Sequence, residues 1–525
     1  MSTRKIVLYL LAALVVVGIG NFLLRSFQIR QQLARVASND PAAQTAGVKN
    51  LMDRGALFDA LQGGAPKETR LKAVETLEKM ADNGADKAAF EQLLQMLKDP
   101  DTESAEAKTH PVRDRARDAV AKVGAFYPER LLDAAKDQDG AIKDQSREAL
   151  KKIGAPLMNQ MAARLGDDAL RAPLGDILAN NVGPQTVPLV TPYLAPDKLN
   201  PDGKKKPEDL VAPKVQLIEI LGKFKVPAAT DPKVTPEQRA TAVAQVADAA
   251  RAIVPFKDDA DPNVRRTVVT SLSNLANDVA GPVLIGALNS PSTDPDARAA
   301  AAGALGAIGT PEANRAMITA LGDVDLRVAR AAAAGLRRAG DKASQAIAGA
   351  LANSDPAVRA LAADAAAGQT SPALAARALK DPDPQVRAAA ATALGDLKNG
   401  ASAGATAPLV AALADPDGTV ATVASGSLVR LGEPAIPALV GALASGNDTV
   451  AYYASQALGT IGRPAVPALM AAARPYWSKD TRWAAVTLGQ IGDPRAASVL
   501  RVLKTAPDPD TANAADVALA KVQQE

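Results

Sequence analysis

The sequence predicts an all-α solenoid, a stack of helical hairpins behind one N-terminal membrane-spanning helix, and three observations predict it. The first is recurrence. Asp261-Pro-Asn-Val-Arg265, Asp294-Pro-Asp-Ala-Arg298, Asp323-Val-Asp-Leu-Arg327, Asp355-Pro-Ala-Val-Arg359 and Asp383-Pro-Gln-Val-Arg387 follow one another at spacings of 33, 29, 32 and 28 residues. A period of that size marks a repeat architecture, in which one hairpin cannot bury its own apolar face and needs its neighbours. The second is composition: 47% of the 525 residues are hydrophobic but only 3% are aromatic. Such an interior is built from Ala, Leu and Val, and Ala both favours helix and lets backbones approach closely. The third is a run of nineteen uncharged residues from Ile6 to Leu24.

That run comes first along the chain. At 1.5 Å per residue it spans ~28 Å, close to the hydrocarbon thickness of a bilayer. Residues 1–27 therefore read as a single-pass anchor and 28–47 as a juxtamembrane linker. The alternative is a cleaved secretory signal, but the run exceeds a usual signal core and no A-x-A cleavage site follows it. Arg4 and Lys5 stand before the run and Arg25, Arg30 and Arg35 after it, so charge alone does not orient it. A very short tail ahead of a first apolar helix usually stays cytoplasmic. With no cysteine in the chain, this places the expected body outside the cytoplasm, in the periplasm. A scaffold attached to the inner leaflet is the alternative topology.

Residues 48–260 read as degenerate copies of the repeat. Glu68-Thr-Arg-Leu-Lys-Ala-Val-Glu-Thr-Leu77 is a weak one, while PVRDRARDAVAKVG at 111–124 and DGAIKDQSREALKKIG at 139–154 are clearer. Two interruptions follow. Pro196-Asp-Lys-Leu-Asn-Pro-Asp-Gly-Lys-Lys-Lys-Pro207 is too rich in Pro, Lys and Gly for a helix, and predicts an exposed inserted loop near 196–212. A second loop is expected near 226–236, ahead of a helix from Pro236 to Val254. Insertions in a solenoid project from one edge, so these loops are either a binding lip or tolerated length.

Residues 261–525 form the regular part, with degenerate copies continuing at Asp417–Ala421, Asn447–Ala451, Ser478–Arg482 and Asp508–Ala512. Asp before Pro sets a carboxylate at the N-cap and puts Pro at the first helical position, where its missing N–H costs nothing. The Arg four residues on can reach an Asp of its own or the next copy. Asp261/Arg265, Asp294/Arg298, Asp323/Arg327, Asp355/Arg359 and Asp383/Arg387 are thus expected to form a ladder that sets register, each exposed pair contributing ~0.5 kcal/mol. An Ala/Leu-rich helix follows, such as AAAATALGDL after Arg387, ending near Gly309, Gly340, Gly432, Gly462 or Gly492 in the left-handed conformation glycine accepts. Segments such as Pro434-Ala-Ile-Pro-Ala-Leu439 then open the partner helix.

D-P-x-V-R, then A-A-x-A-L-G-x-I-G, then P-A-[IV]-P-A-L resembles HEAT repeats, in the short form first noted in phycobilin lyases. The match is strong from 261 to about 505. The resemblance implies a right-handed superhelix whose second helices line a concave face, with protein binding as the commonest role. It does not imply lyase activity.

Composition removes most other chemistry. With zero Cys there is no disulfide, thiolate nucleophile or zinc–thiolate site. The single histidine, His110, lies at a loop-to-helix junction and is expected at the surface. Neither His-based metal centres nor His-dependent triads can be assembled from it. No P-loop or nucleophile-elbow segment is present. Asp residues crowd the turns, but capping already employs them, so no catalytic residue, cofactor or metal is expected. Setting aside the five basic residues around the apolar run leaves 55 basic against 57 acidic. A nucleic-acid partner is thereby disfavoured, because such binding needs a concentrated basic face.

Aromatic residues are distributed unequally. None lies between Phe256 and Tyr452, and then Tyr452, Tyr453, Tyr476, Trp477 and Trp483 fall within 32 positions. Tyr452 and Trp483 occupy one equivalent place, just after the Arg slot, where earlier copies carry Arg266, Ala299, Val328, Ala360 or Ala388. Their side chains are expected side by side near helix starts. Two readings stand: a hot spot for a protein partner, since Trp and Tyr offer large area for few rotors, or a shield over the last apolar layer. The expectation is a membrane-anchored scaffold for proteins of an envelope or membrane complex. A lyase or chaperone for a tetrapyrrole is the alternative, resting on fold analogy alone.

Overall fold

A computed structural model of the chain describes residues 25–62, 65–100, 110–201, 203–228, 230–397, 402–473 and 481–523. The apolar run Ile6–Leu24 lies outside the described residues, as do Tyr476, Trp477 and Ser478. Among the described residues no helix is long and apolar enough to cross a membrane. The chain divides into two compact units, one ending at Ala252 and the other running from Ile253. Within the described residues both are helical, without strands.

In the second unit long and short helices alternate. The long ones include Pro262–Leu275, Pro295–Ile308, Leu326–Ala339, Pro356–Ala365, Pro384–Gly395, Gly418–Leu431, Asp448–Ile461, Thr481–Ile491 and Pro509–Val522, and each packs on the next. The short ones, such as Gly281–Asn289, Pro311–Ala320, Ser344–Ala350, Ile436–Ala442 and Val466–Ala472, form a second layer against them. The interior between layers is aliphatic. Val420, Ala424 and Leu428 of Gly418–Leu431 are buried, and so are Ile436 and Leu439 of the short helix Ile436–Ala442, which packs on the next long helix, Asp448–Ile461. The first unit repeats the scheme: Lys67–Ala81 packs on Pro111–Val123 and that on Gly140–Ile153, with Lys87–Met96 among the partner helices.

Local chemistry explains where the long helices begin. Asp261, Asp294, Asp355, Asp383 and Asp417 each accept from backbone amides in the following turn, and Asn447 and Asp508 do the same. One expectation is corrected. The cap of Leu326–Ala339 is Asp325, whose carboxylate accepts from the Arg327 amide, and not Asp323. With that register Arg327 sits where Gln385 sits, and the ladder position holds Ala329. Arg327 accordingly pairs with Asp325 and Asp296.

Arg298 reaches Asp323 of the next copy as expected, whereas Arg359 and Arg387 pair with a different Asp from the expected cap. Arg359 donates from Nε and Nη2 to Asp381 at 2.8 and 2.9 Å, and Arg387 in the same way to Asp415 at 2.7 and 2.8 Å. Asp381 and Asp415 stand two residues before the next cap, and each also accepts the amide of that cap residue. Nη1 of each Arg meanwhile donates to carbonyls of its own turn, Asn353 and Ser354 for Arg359, Asp381 and Pro382 for Arg387. Arg298–Asp323 is a rung of the same kind, and Arg70–Asp99, at 3.0 Å, places one in the first unit. Side chains in these four pairs keep at most 14% of their exposure. They are desolvated pairs, and the value for exposed pairs understates them. Arg265 finds Ser292 where an Asp would stand, and donates to the Asp259 and Ala260 carbonyls.

Helix ends differ in detail from expectation. Gly309 is left-handed, at φ 66° and ψ 25°, but Gly432 and Gly462 hold ψ −138° at positive φ, a region closed to residues with a side chain. A single 3-10 turn, Glu433–Ala435 or Arg463–Ala465, then leads into each short helix. The inserted segment at 196–212 is more ordered than its composition predicts. Pro196–Leu199 forms one helical turn that buries Leu199, and the Asn200 carboxamide closes the loop on the Lys205 backbone in both directions, at 3.0 and 3.1 Å. The reason is local: Pro opens the turn and Leu199 gives it an apolar anchor.

Candidate functional site

The aromatic residues that lie within the described part meet on one side of the second unit. Asn447 caps Asp448–Ile461, which turns Ala451 and Ala454 inward and leaves Tyr452 48% exposed one turn from the helix start. Trp483 occupies the same level of the next long helix, Thr481–Ile491, and is half-buried. The Tyr452 and Trp483 ring centroids are 6.4 Å apart at 73°, and Tyr452 and Tyr453 are 5.4 Å apart at 72°. Both are edge-to-face contacts, the arrangement that places the positive edge of one ring on the negative face of another.

Polar contacts fix the rings. Trp483 Nε1 donates to Asp448 Oδ1 at 3.3 Å, and the Tyr453 hydroxyl donates to the Gly418 carbonyl at 3.4 Å. The Arg482 guanidinium lies 5.1 Å from the Trp483 ring centroid, a cation–π contact, and reaches Asp448 at 2.6 Å and Asp510 at 3.6 Å. Beneath the rings, Thr487 donates to the Trp483 carbonyl at 2.7 Å, and its hydroxyl lies 2.8 Å from that of the buried Ser455. The result is an open depression of about 460 Å³ bounded by Asp448, Thr449, Tyr452, Tyr453, Arg482, Trp483 and Val486. Arg482 and Val486 also line a neighbouring groove of about 360 Å³ that continues onto Pro509–Val522.

The structure thus brings together Tyr452, Tyr453 and Trp483. Asp448 and Arg482 complete the group and were not singled out by sequence reasoning. Their signal was weak, because each sits at the start of a helix where a charged residue has an ordinary solvated role. The register correction also changes one equivalent position: Arg330, not Val328, stands at the level of Tyr452 in the Leu326–Ala339 repeat. His110 precedes Pro111–Val123 and is half-buried; its amide donates to Asp114 at 3.4 Å. Among the described residues no three His, Cys, Asp or Glu side chains are grouped to hold a metal ion.

Comparison with known proteins agrees with this architecture. A family model described as HEAT repeats matches residues 290–367, 371–451 and 436–520, so the second unit carries HEAT repeats. No curated protein matches the chain. Among solved structures it is similar to the karyopherin Kap121p bound to the extreme C-terminus of the phosphatase Cdc14p, at 12% identity over 91% of this chain and 58% of that one, TM-score 0.43. It is similar also to Kap121p bound to Ste12p, at 12% identity over 95% and 57%, TM-score 0.41, and to the Kap95:Nup1 complex, at 12% identity over 94% and 71%, TM-score 0.37. The chain spans somewhat over half the length of the Kap121p chains. At this identity and these TM-scores the likeness says nothing of what this chain binds.

Proposed function

We propose that the protein is a scaffold that binds other proteins, and that the shelf formed by Tyr452, Tyr453 and Trp483 is one of its contact surfaces. One observation carries the reading: two large rings at equivalent levels of adjacent repeats stand half in solvent, braced edge to face. A further long helix, Pro509–Val522, packs beyond the Trp483 helix, so the rings lie on the side of the stack and not over its end. That placement supports contact with a partner over a shield for the last apolar layer. Aromatic anchors braced before binding lose little entropy on association.

The apolar run Ile6–Leu24 supports a single-pass anchor, with the repeats outside the cytoplasm and their partners in an envelope or membrane complex. A reporter fused after Glu525 tests this: activity only in an extracytoplasmic compartment is expected, and activity only in the cytoplasm rejects it. The tetrapyrrole reading rested on resemblance alone, and the open aromatic depression adds nothing to it.

Replacing Tyr452 and Trp483 together by Ala tests the shelf. Partners recovered from membranes by crosslinking should fall away while the melting temperature holds. Retained partners with a lowered melting temperature would assign the rings to stability.

A further inference from the structure

We propose that the first unit carries a second, separate binding site, a basic groove that takes an extended acidic segment of a partner protein. It does not depend on the aromatic shelf. The groove encloses about 650 Å³ between the Leu178–Val182 turn, the segment after Val211–Leu221, and the start of Pro236–Ile253. It therefore uses part of the 226–236 insertion, which the sequence leaves open as either a binding lip or spare length.

Its shape comes from backbone geometry. Leu178–Val182 is a π-turn, a widened form uncommon in helices and frequent at functional sites. Gly183 follows at φ 98° and ψ −168° and turns the chain sharply aside. Val182 and Pro184 become one wall, and Val234 and Ala242 face the same space.

Its charge is positive. Lys223, Lys225 and Lys233 line the groove. Lys223 is bound to Asp176 at 2.5 Å, whereas the exposed side chains of Lys225 and Lys233 make no ion pair among the described residues. Glu237 is the one carboxylate among the lining residues. Its own backbone amide and the Thr235 hydroxyl hold it at the helix start and below its ordinary pKa, so it is already engaged. In a body with nearly equal numbers of acidic and basic residues, this is a local excess of the kind that selects an acidic partner.

The hydrogen-bonding groups point to polypeptide. The carboxamides of Asn180, Gln185 and Gln245 face the groove and make no side-chain hydrogen bond among the described residues. A carboxamide offers a donor and an acceptor together, the pair that an extended backbone presents. A phosphate would prefer free amides at a helix start. Here Thr235 and Gln238 close on each other, at 2.9 and 3.2 Å, and cover that end. A concave groove also cannot lie flat on a bilayer.

The test uses the full chain and a fluorescein-labelled peptide of six Glu-Ala repeats, followed by anisotropy at low salt. Lys225→Glu/Lys233→Glu should weaken binding by roughly tenfold or more, and added salt should weaken it further. Lys342→Glu/Lys380→Glu, the same charge change in the second unit, should leave it within about twofold. Gln185→Ala/Gln245→Ala should weaken binding with little change in salt dependence, and all variants should melt as the parent does. No binding by the parent, or equal losses in the two charge-reversal variants, overturns the site. So does a result in which Lys225 and Lys233 are needed to pellet with phosphatidylglycerol vesicles but not to bind the peptide, which would assign the groove to lipid.

Discussion

At the scale of the residue, the unit of order is one arginine shared by two turns. Arg387 ties its own loop through the Asp381 and Pro382 carbonyls and the next loop through Asp415, which in turn holds the amide of the next cap. The pair is nearly out of solvent, so removing one partner strands a desolvated charge. Arg387→Met should therefore cost on the order of 2 kcal/mol in denaturant unfolding, and the cycle with Asp415→Leu should show a coupling of about 1 kcal/mol or more. Arg315→Ala, which breaks the exposed pair with Glu312, should change stability by less than about 0.5 kcal/mol. Strict additivity of Arg387→Met and Asp415→Leu would contradict the ladder.

The same geometry sets the response to acid. The guanidinium of Arg359 holds Asp381 below the ordinary carboxylate range, Arg387 does so for Asp415, and Arg495 lowers Asp493 to about 2. A carboxylate with a depressed folded pKa stabilises the fold above its unfolded value near ~3.9 and loses that contribution as pH falls through the folded value. Stability should thus decline between about pH 4 and 2, and Asp493→Asn should flatten part of the decline. Asp364 acts in the opposite sense: burial raises its pKa, Arg337 opposes and Asp396 adds to the rise, so its protonation relieves a cost as pH falls.

At the scale of the element, close approach of alanine-rich helices is the governing fact. A Cβ on Gly306 would lie 2.3 Å from the Gly335 carbonyl oxygen and 2.5 Å from its Cα, on the neighbouring long helix. Gly303, in the same helix as Gly306, has nothing within 4 Å. Gly306→Ala should force the two helices apart at a cost of roughly 1–3 kcal/mol, whereas Gly303→Ala should stabilise by about 0.5–1 kcal/mol. Thermal melts of the two variants separate tight packing from helix propensity, and equal shifts would contradict the contact.

These elements also show what a sequence displays and what it withholds. Caps at Asp261, Asp294, Asp355 and Asp383 were legible because capping is settled within one turn. Positive φ at Gly432 and Gly462 was legible for the same reason, though not their ψ. The acceptors for Arg359 and Arg387 were not, because each belongs to the next loop and depends on how two hairpins stack. That also hid the slip at Asp323, where Val324 and Leu326 stand in place of prolines and two Asp residues compete for one cap. At the shelf, the adjacency of Tyr452 and Trp483 followed from the period alone. The bridge from Arg482 to Asp448 and Asp510 required the packing of three helices.

At the scale of the molecule, each unit is a helical stack with surface to offer and little enclosed space. The second unit presents a hydrophobic shelf braced by charge, and the first a basic groove beside an inserted loop. The most direct measurement replaces Tyr452 with a photo-crosslinking phenylalanine in the full chain, irradiated in cells, beside a control at the fully exposed Val324. A discrete protein adduct is expected at position 452, one that the control lacks and that Trp483→Ala abolishes. The same adducts from both positions, or none from 452 under conditions where the control reacts, would contradict the shelf as a contact surface.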